Sequence, residues 1–346
     1  MDAGELWYTL VKGGNVMKKQ PFFILLVISL VLNLLLGTAL VLLIPRVGPA
    51  VSPDISGTAP TVSAQAPDTV PPETTAAAEA IQSESAPTEP PATLPAATEA
   101  PEKSASPLYT RQQLEQLDNT LILYGPGTAK NGDPAPYAPA AQEKYGKYAG
   151  RFLESAEGVI YLTFDCGYEY FSDGQPLTGL ILDTLKEKDV KAVFFVTMSY
   201  ARDNPALVRR IIDEGHILGN HSAGHHSMPS LSIDAMEKEI MDLHHYIEQN
   251  FSCKMHLVRP PSGKFSIRSL AVTQNLGYET VHWSFAYGDW DTAAQPDPRE
   301  ALDKILSCHH DGAIYLLHAV SATNTQILGD VIDGLRDMGY SLELLN

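Results

Sequence analysis

Asp165 stands at the end of a short apolar run, Val159-Ile160-Tyr161-Leu162-Thr163-Phe164, and is followed by Cys166 and Gly167. A β-branched and aromatic run that stops at an acid and a thiol is the pattern of a buried strand delivering polar side chains to the mouth of a sheet. Taken alone, Asp165 reads as either a turn residue or a base. His221 and His225 are four apart, so on a helix or tight turn they share a face and can hold one metal ion. Ser222 follows His221, so this is not the His-Glu-x-x-His helix whose glutamate is the base, and Asp165 is the best-placed carboxylate for that task. His318 closes the apolar run Ala313-Ile314-Tyr315-Leu316-Leu317 and is either a hydrogen-bonded core histidine or a general acid. Arg259 precedes Pro260 and Pro261, which fix a rigid loop, and can keep Asp165 ionised. Trp290 either lines an apolar pocket or packs in the core. His244-His245 and His309-His310 fall within or at the end of helical patterns and read as non-catalytic.

Strands must position these residues. Strand-like runs are expected at 159–164, 192–197, 216–220, 256–259, 278–284, 313–318 and 340–344, with helical patterns between them. One helix begins at Asn204-Pro205 and stops at Gly215; another follows Ser232 as N-cap, with Ile233, Met236, Ile240, Leu243 and Ile247 on one face. This alternation predicts βαβ units, a parallel sheet and a distorted (β/α) barrel of about seven strands, with its site at the strand C-termini. Asp165 and Cys166, His221 to His226, Arg259 to Gly263, Asp289 to Asp291, and His318 all stand at such ends.

The remaining sequence reads as an anchor and a tether. Residues 21–45 carry no charge, long enough for a transmembrane signal anchor, and Lys18 and Lys19 before them predict a cytoplasmic segment 1–20 with the rest exported. Residues 1–16 look like a mis-assigned start, with Met17 the expected first residue. Residues 46–106, rich in Pro, Ala, Thr, Ser and Glu, are expected to be a disordered, extended linker. Residues 107–157 read as an N-terminal extension of the catalytic domain, 158–346. The net charge of −17 argues against nucleic acid as a partner. Three cysteines are too few for a disulfide framework, although a Cys253–Cys308 bridge stays open.

The motifs Thr163-Phe164-Asp165, His221-Ser222-x-x-His225, Arg259-Pro260-Pro261, Asp289-Trp290 and Leu316-Leu317-His318, in this order, resemble those of the NodB-like polysaccharide deacetylases, carbohydrate esterase family 4. The resemblance runs from about residue 110 to the C-terminus. Gly167-Tyr168-Glu169, Gly219-Asn220-His221-Ser222, Trp283-Ser284-Phe285-Ala286 and Gly312-Ala313-Ile314-Tyr315 look most like the delta-lactam-biosynthetic muramic-acid de-N-acetylases of spore-forming bacteria. The resemblance implies a metal-dependent amide hydrolase. Asp165 would be the base, His318 the acid, Arg259 and Asp289 the residues that tune them, and His221 and His225 the metal ligands. Trp290 and Leu316 would hold the acetyl methyl group, and an amide near Ser262 would help stabilise the oxyanion. The family's usual third ligand is an Asp where Cys166 stands; Cys166 is either a thiolate ligand favouring Zn²⁺ or a neutral small residue. A muramic-acid carboxylate calls for a cation, for which Lys264 or Arg268 is a candidate.

The leading expectation is a monomeric, zinc-dependent peptidoglycan de-N-acetylase acting on N-acetylmuramic acid, anchored outside the membrane of a Gram-positive bacterium. The alternatives are a deacetylase of another N- or O-acetylated polysaccharide, and an inactive wall-glycan binding module.

Overall fold

The computed structural model describes residues 107–130 and 132–346. The expected cytoplasmic segment 1–20, the anchor 21–45 and the linker 46–106 lie outside the described residues. Among those described, no helix is long and apolar enough to cross a membrane.

Helix α1 (Arg111–Gln116) is closed by a capping box: the Thr110 hydroxyl accepts from the Gln113 N–H, and the Gln113 side chain accepts from the Thr110 N–H. Strand β1 (Ile122–Leu123), helix α2 (Tyr137–Tyr145) and strand β2 (Gly150–Arg151) follow. β3 covers Val159–Cys166, and a hairpin of β4 (Phe171–Ser172) and β5 (Gln175–Pro176) leads into α3 (Leu177–Glu187). Next come β6 (Val193–Val196), α4 (Met198–Asp203), α5 (Pro205–Asp213), β7 (Ile217–Asn220) and α6 (Ile233–Phe251). Then follow β8 (Leu257–Val258), β9 (Lys264–Phe265), α7 (Ile267–Asn275) and β10 (Glu279–Val281). The chain finishes with α8 (Pro298–Ser307), β11 (Ala313–His318), α9 (Ala322–Asp337) and β12 (Ser341–Glu343).

Seven parallel strands run in the order β11-β3-β6-β7-β8-β10-β2, and β12 pairs with β3 as an eighth. β12 pairs with β3 at Val159–Tyr161 and β6 pairs with it from Thr163 to Cys166, so β3 has different partners along its length. Past β10 the chain reaches across to β11: the Ser284 and Phe285 N–H groups donate to the Ile314 carbonyl, and the Leu316 N–H donates to that of Phe285. The sheet thus curls into an incomplete (β/α) barrel. Each of the seven strand-like runs holds a strand. The edge strand β2 comes from ahead of residue 158, so part of the segment read as an extension belongs to the sheet.

Strand periodicity sorts the side chains into two cores. Leu162, Phe164, Cys166, Phe194, Val196, Tyr315 and Leu317 face the helices. Val193, Phe195, Leu257, Val281, Ile314 and Leu316 fill the barrel interior with Phe152, Phe265 and Trp283. Burying each large apolar side chain contributes ~1.5–3 kcal/mol, so a one-residue slip of any central strand would exchange the two sets at heavy cost. α6 seals the outer core with Ile233, Met236, Ile240, Leu243 and Ile247, and the Ser232 hydroxyl caps it by accepting from the Ala235 N–H. All three cysteines are free, so the Cys253–Cys308 bridge left open by the sequence is not formed.

Candidate active site

A cavity of about 810 Å³ opens at the C-terminal ends of the strands and is lined by Asp165, His221, His225, Ser262, Leu316 and His318, with Trp290 at its rim. Residues more than 150 positions apart in sequence therefore meet, as the strand ends predicted. Arg259 and Asp289 sit behind the wall, fully buried.

Asp165 points inward from β3, on the same face as Thr163. Arg259 Nη1 donates to its Oδ1 at 2.8 Å, and Nη2 donates to Thr163 Oγ1 at 2.8 Å. The guanidinium is held further by the Val281 carbonyl (3.2 Å) and the His282 carbonyl (3.1 Å), and lies 4.2 Å from the Phe195 ring centroid. A buried guanidinium needs such saturation, because an unpaired charge inside the barrel would cost several kcal/mol. Burial pushes the Asp165 pKa up, but Arg259, then His221 and His318, outweigh it and hold the carboxyl below its usual value. Oδ2 accepts no hydrogen bond and lies 3.5 Å from His221 Nε2. Asp165 thus favours its ionised form, is held by Arg259 and keeps one spare acceptor at the cavity.

His221 Nδ1 lies 2.9 Å from the Arg259 carbonyl oxygen. A carbonyl only accepts, so Nδ1 carries the hydrogen and Nε2 is left with a free lone pair. Burial brings the His221 pKa down to about 4 against the pull of Asp165, and burial also lowers that of His225. Both rings are therefore neutral near pH 7, with centroids 5.0 Å apart. Two neutral imidazoles beside a carboxylate form a donor set that fits a divalent transition metal. Among the described residues, no three His, Cys, Asp or Glu side chains form a closed ligand group.

At the end of the neighbouring strand β11, Asp289 Oδ1 is 2.7 Å from His318 Nδ1, and its Oδ2 accepts from the His318 N–H at 2.8 Å and from Asn324 Nδ2 at 2.6 Å. Asn324 is itself hydrogen-bonded to the Tyr287 hydroxyl. With Nδ1 committed to Asp289, Nε2 is the ring nitrogen available to a substrate. Burial lowers the His318 pKa, but the Asp289 bond and the charges of Asp289 and Asp165 reverse this and raise it above its usual value. Trp290 is 60% exposed, which excludes core packing, and its ring centroid lies 6.1 Å from that of His318.

Of the two readings that the sequence left open for Cys166, the geometry favours the neutral small residue, and it does not favour Lys264 or Arg268 as a cation at the cavity. Cys166 does not face His221 and His225. β3 continues through Cys166, so alternation turns its thiol away from Asp165 and into the outer core, fully buried, where burial pushes its pKa well up. Lys264 lies on β9 opposite Leu123 and does not line the cavity, while Arg268 is spent on the Glu115 and Leu117 carbonyls. Among the described residues, no lysine or arginine lines the cavity. Sequence reasoning also missed Tyr168, Ser199 and Tyr287 on the wall and Asn324 behind it. Asn324 follows the Ser321 cap and reads as helix-start chemistry, so no sequence signal distinguished it.

Comparison with known proteins agrees with this geometry. The family model described as Polysaccharide deacetylase matches residues 153–281. The peptidoglycan-N-acetylmuramic acid deacetylase PdaA of Bacillus subtilis is 36% identical over 236 residues, covering 68% of this chain and 88% of that protein. The solved structure of Bacillus subtilis PdaA, a family 4 carbohydrate esterase, superposes with a TM-score of 0.62 at 36% identity, covering 66% of this chain and 96% of that one. A family 4 carbohydrate esterase from Bacillus anthracis gives 0.53 at 35% identity, covering 66% and 95%. The chain belongs to the polysaccharide deacetylase family.

Proposed function

We propose that the protein is a metal-dependent peptidoglycan de-N-acetylase that removes acetate from N-acetylmuramic acid. The observation that carries this reading is the placing of Asp165, with a spare oxygen, beside His318, of raised pKa, at the adjoining ends of β3 and β11 in one cavity. Amide hydrolysis needs a base for water, an acid for a poor leaving group and a site for the oxyanion. Asp165 takes the proton from the attacking water as its oxygen bonds to the acetyl carbon. His318 Nε2 gives a proton to the sugar nitrogen as the C–N bond breaks, releasing acetate and the free amine. His221 and His225 would hold a divalent ion, Zn²⁺ being the best match to two imidazoles, and the chemistry it supplies there is polarisation of the amide carbonyl and of water. Leu316 and Trp290 shape the apolar end for the acetyl methyl group.

The named activity of PdaA supports muramic acid as the target. With no cation on the wall, neutral donors such as Ser199 and Ser262 would meet the sugar's lactyl group. The charge-free run at 21–45 and the lysines before it support an exported, membrane-anchored domain. The test is acetate release by the purified full chain from peptide-free glycan strands and from chitooligosaccharide, with Zn²⁺ and with a chelator. Zinc-dependent acetate from glycan strands is the expected result. Acetate from chitooligosaccharide alone would sink the muramic-acid reading, and glycan binding without acetate would favour an inactive module.

A further inference from the structure

The loop His221–His226 carries both proposed metal ligands in a backbone that resists relaxing into that shape. Ser222 (φ 69°) and His225 (φ 55°) both occupy the left-handed region, where a non-glycine residue costs ~1–3 kcal/mol unless its surroundings hold it. Part of the restraint is local. The Asn220 side chain accepts from the Ser222 N–H (2.8 Å) and donates to the Ile240 carbonyl (2.9 Å), and Ser222 Oγ accepts from the His225 N–H (3.0 Å). The rest comes from one residue of α6. The main-chain oxygen of Glu239 accepts from the Ala223 N–H at 2.9 Å, its Oε2 accepts from the Gly224 N–H at 2.8 Å, and its Oε1 lies 2.9 Å from His226 Nδ1. The fit is close: a Cβ on Gly224 would stand 2.4 Å from His226 Cε1 and 2.9 Å from Glu239 Oε1. The Glu239 side chain is only 15% exposed, while its partners Gly224 and His226 are open to solvent.

We propose that Glu239 is a positioning residue for the metal pair, holding residues 223, 224 and 226 so that His225 stays beside His221. The inference rests on the reading that His221 and His225 bind the ion. Outer partners that orient ligands typically govern metal affinity ~10–100-fold when removed. The test is zinc affinity of the metal-free full chain, read by competition with a chromophoric chelator, together with its melting temperature. Glu239→Ala should weaken zinc binding ~10–100-fold. Glu239→Gln, which keeps an acceptor for the Gly224 N–H, should fall between that variant and the wild type with an unchanged metal-free melting temperature. Wild-type zinc affinity in a folded Glu239→Ala, or in Glu239→Gln should the alanine variant not fold, would overturn the clamp alone. No zinc binding by the wild type, or unchanged affinity in His225→Ala, would overturn the metal reading and the clamp with it.

Discussion

The adjoining parts of the cavity wall at the ends of β3 and β11 each rest on a buried carboxylate, and the surroundings of the two differ in one respect. On the β3 wall, Asp165 receives one hydrogen bond from Arg259 and leaves Oδ2 without a donor, facing the cavity. On the β11 wall, both Asp289 oxygens are occupied, by the His318 ring, the His318 N–H and Asn324. A carboxylate with spare acceptor capacity can take a proton from a reactant; one that is saturated can only hold its neighbour. The difference teaches that burial and acidity do not by themselves mark a base, since unfilled lone pairs at the cavity decide it.

The strongest way to break the comparison is to remove the spare acceptor. Asp165→Asn keeps the shape but cannot take the proton, and should lower kcat by ~10²–10⁴-fold in an acetate-release assay while remaining folded. Arg259→Met strips the β3 wall of its counter-charge. Leaving one member of a buried pair alone costs ~3–5 kcal/mol, to be read by urea unfolding at pH 7. Asp165 then loses the interaction that depresses its pKa, so the acid limb of the rate profile should move to higher pH. The sign follows from linkage: the depressed carboxyl stabilises the fold above its unfolded pKa of ~3.9 and loses this as pH falls through its lower folded value, so the variant should gain least from rising pH in that window.

Asp289→Asn tests the other wall. His318 has a raised folded pKa, so its stabilisation is full below ~6.5 and is lost as pH rises through the folded value. The variant should move the alkaline limb of activity to lower pH and keep more of its activity at pH 6 than at pH 8. An unmoved alkaline limb would show that Asp289 does not set the acid. The smallest effect is expected at Cys166→Ala: zinc affinity within about twofold of wild type and ~1 kcal/mol less stability, measured by chelator competition and thermal melting. A tenfold weaker zinc affinity would return the thiol to the ligand set.

These walls were legible in sequence to different depths. The strand ends could be found because each apolar run stops abruptly at polar residues, and the order of those stops already placed Asp165, His221, Arg259 and His318 together. The fate of Cys166 was hidden by two residues of strand length. With the strand ended at Phe164, both Asp165 and Cys166 can face the site; with β3 running through Cys166, only one can. Lys264 failed for a related reason, since the short strand β9 pairs with β1 rather than continuing along the cavity. Glu239 and Asn324 were illegible because their partners, the loop 223–226 for one and Asp289 and Tyr287 for the other, are brought to them only by tertiary packing.

The pairing of β3 with three strands, β6, β11 and β12, also bears on how the site comes into being during synthesis. Thr163 gives its hydroxyl hydrogen to the carbonyl of Tyr315, a residue 152 positions later, and the first half of β3 waits for β12, later still. While the chain emerges, the base-bearing strand is an open edge able to pair with whatever strand it meets. Its formation depends on non-local closure, which is slow compared with the local helices around it. The site is therefore incomplete until β11 has joined β3. A chain stalled before residue 313 would carry His221 and His225, the proposed metal ligands, but neither His318 nor the strand that flanks Asp165.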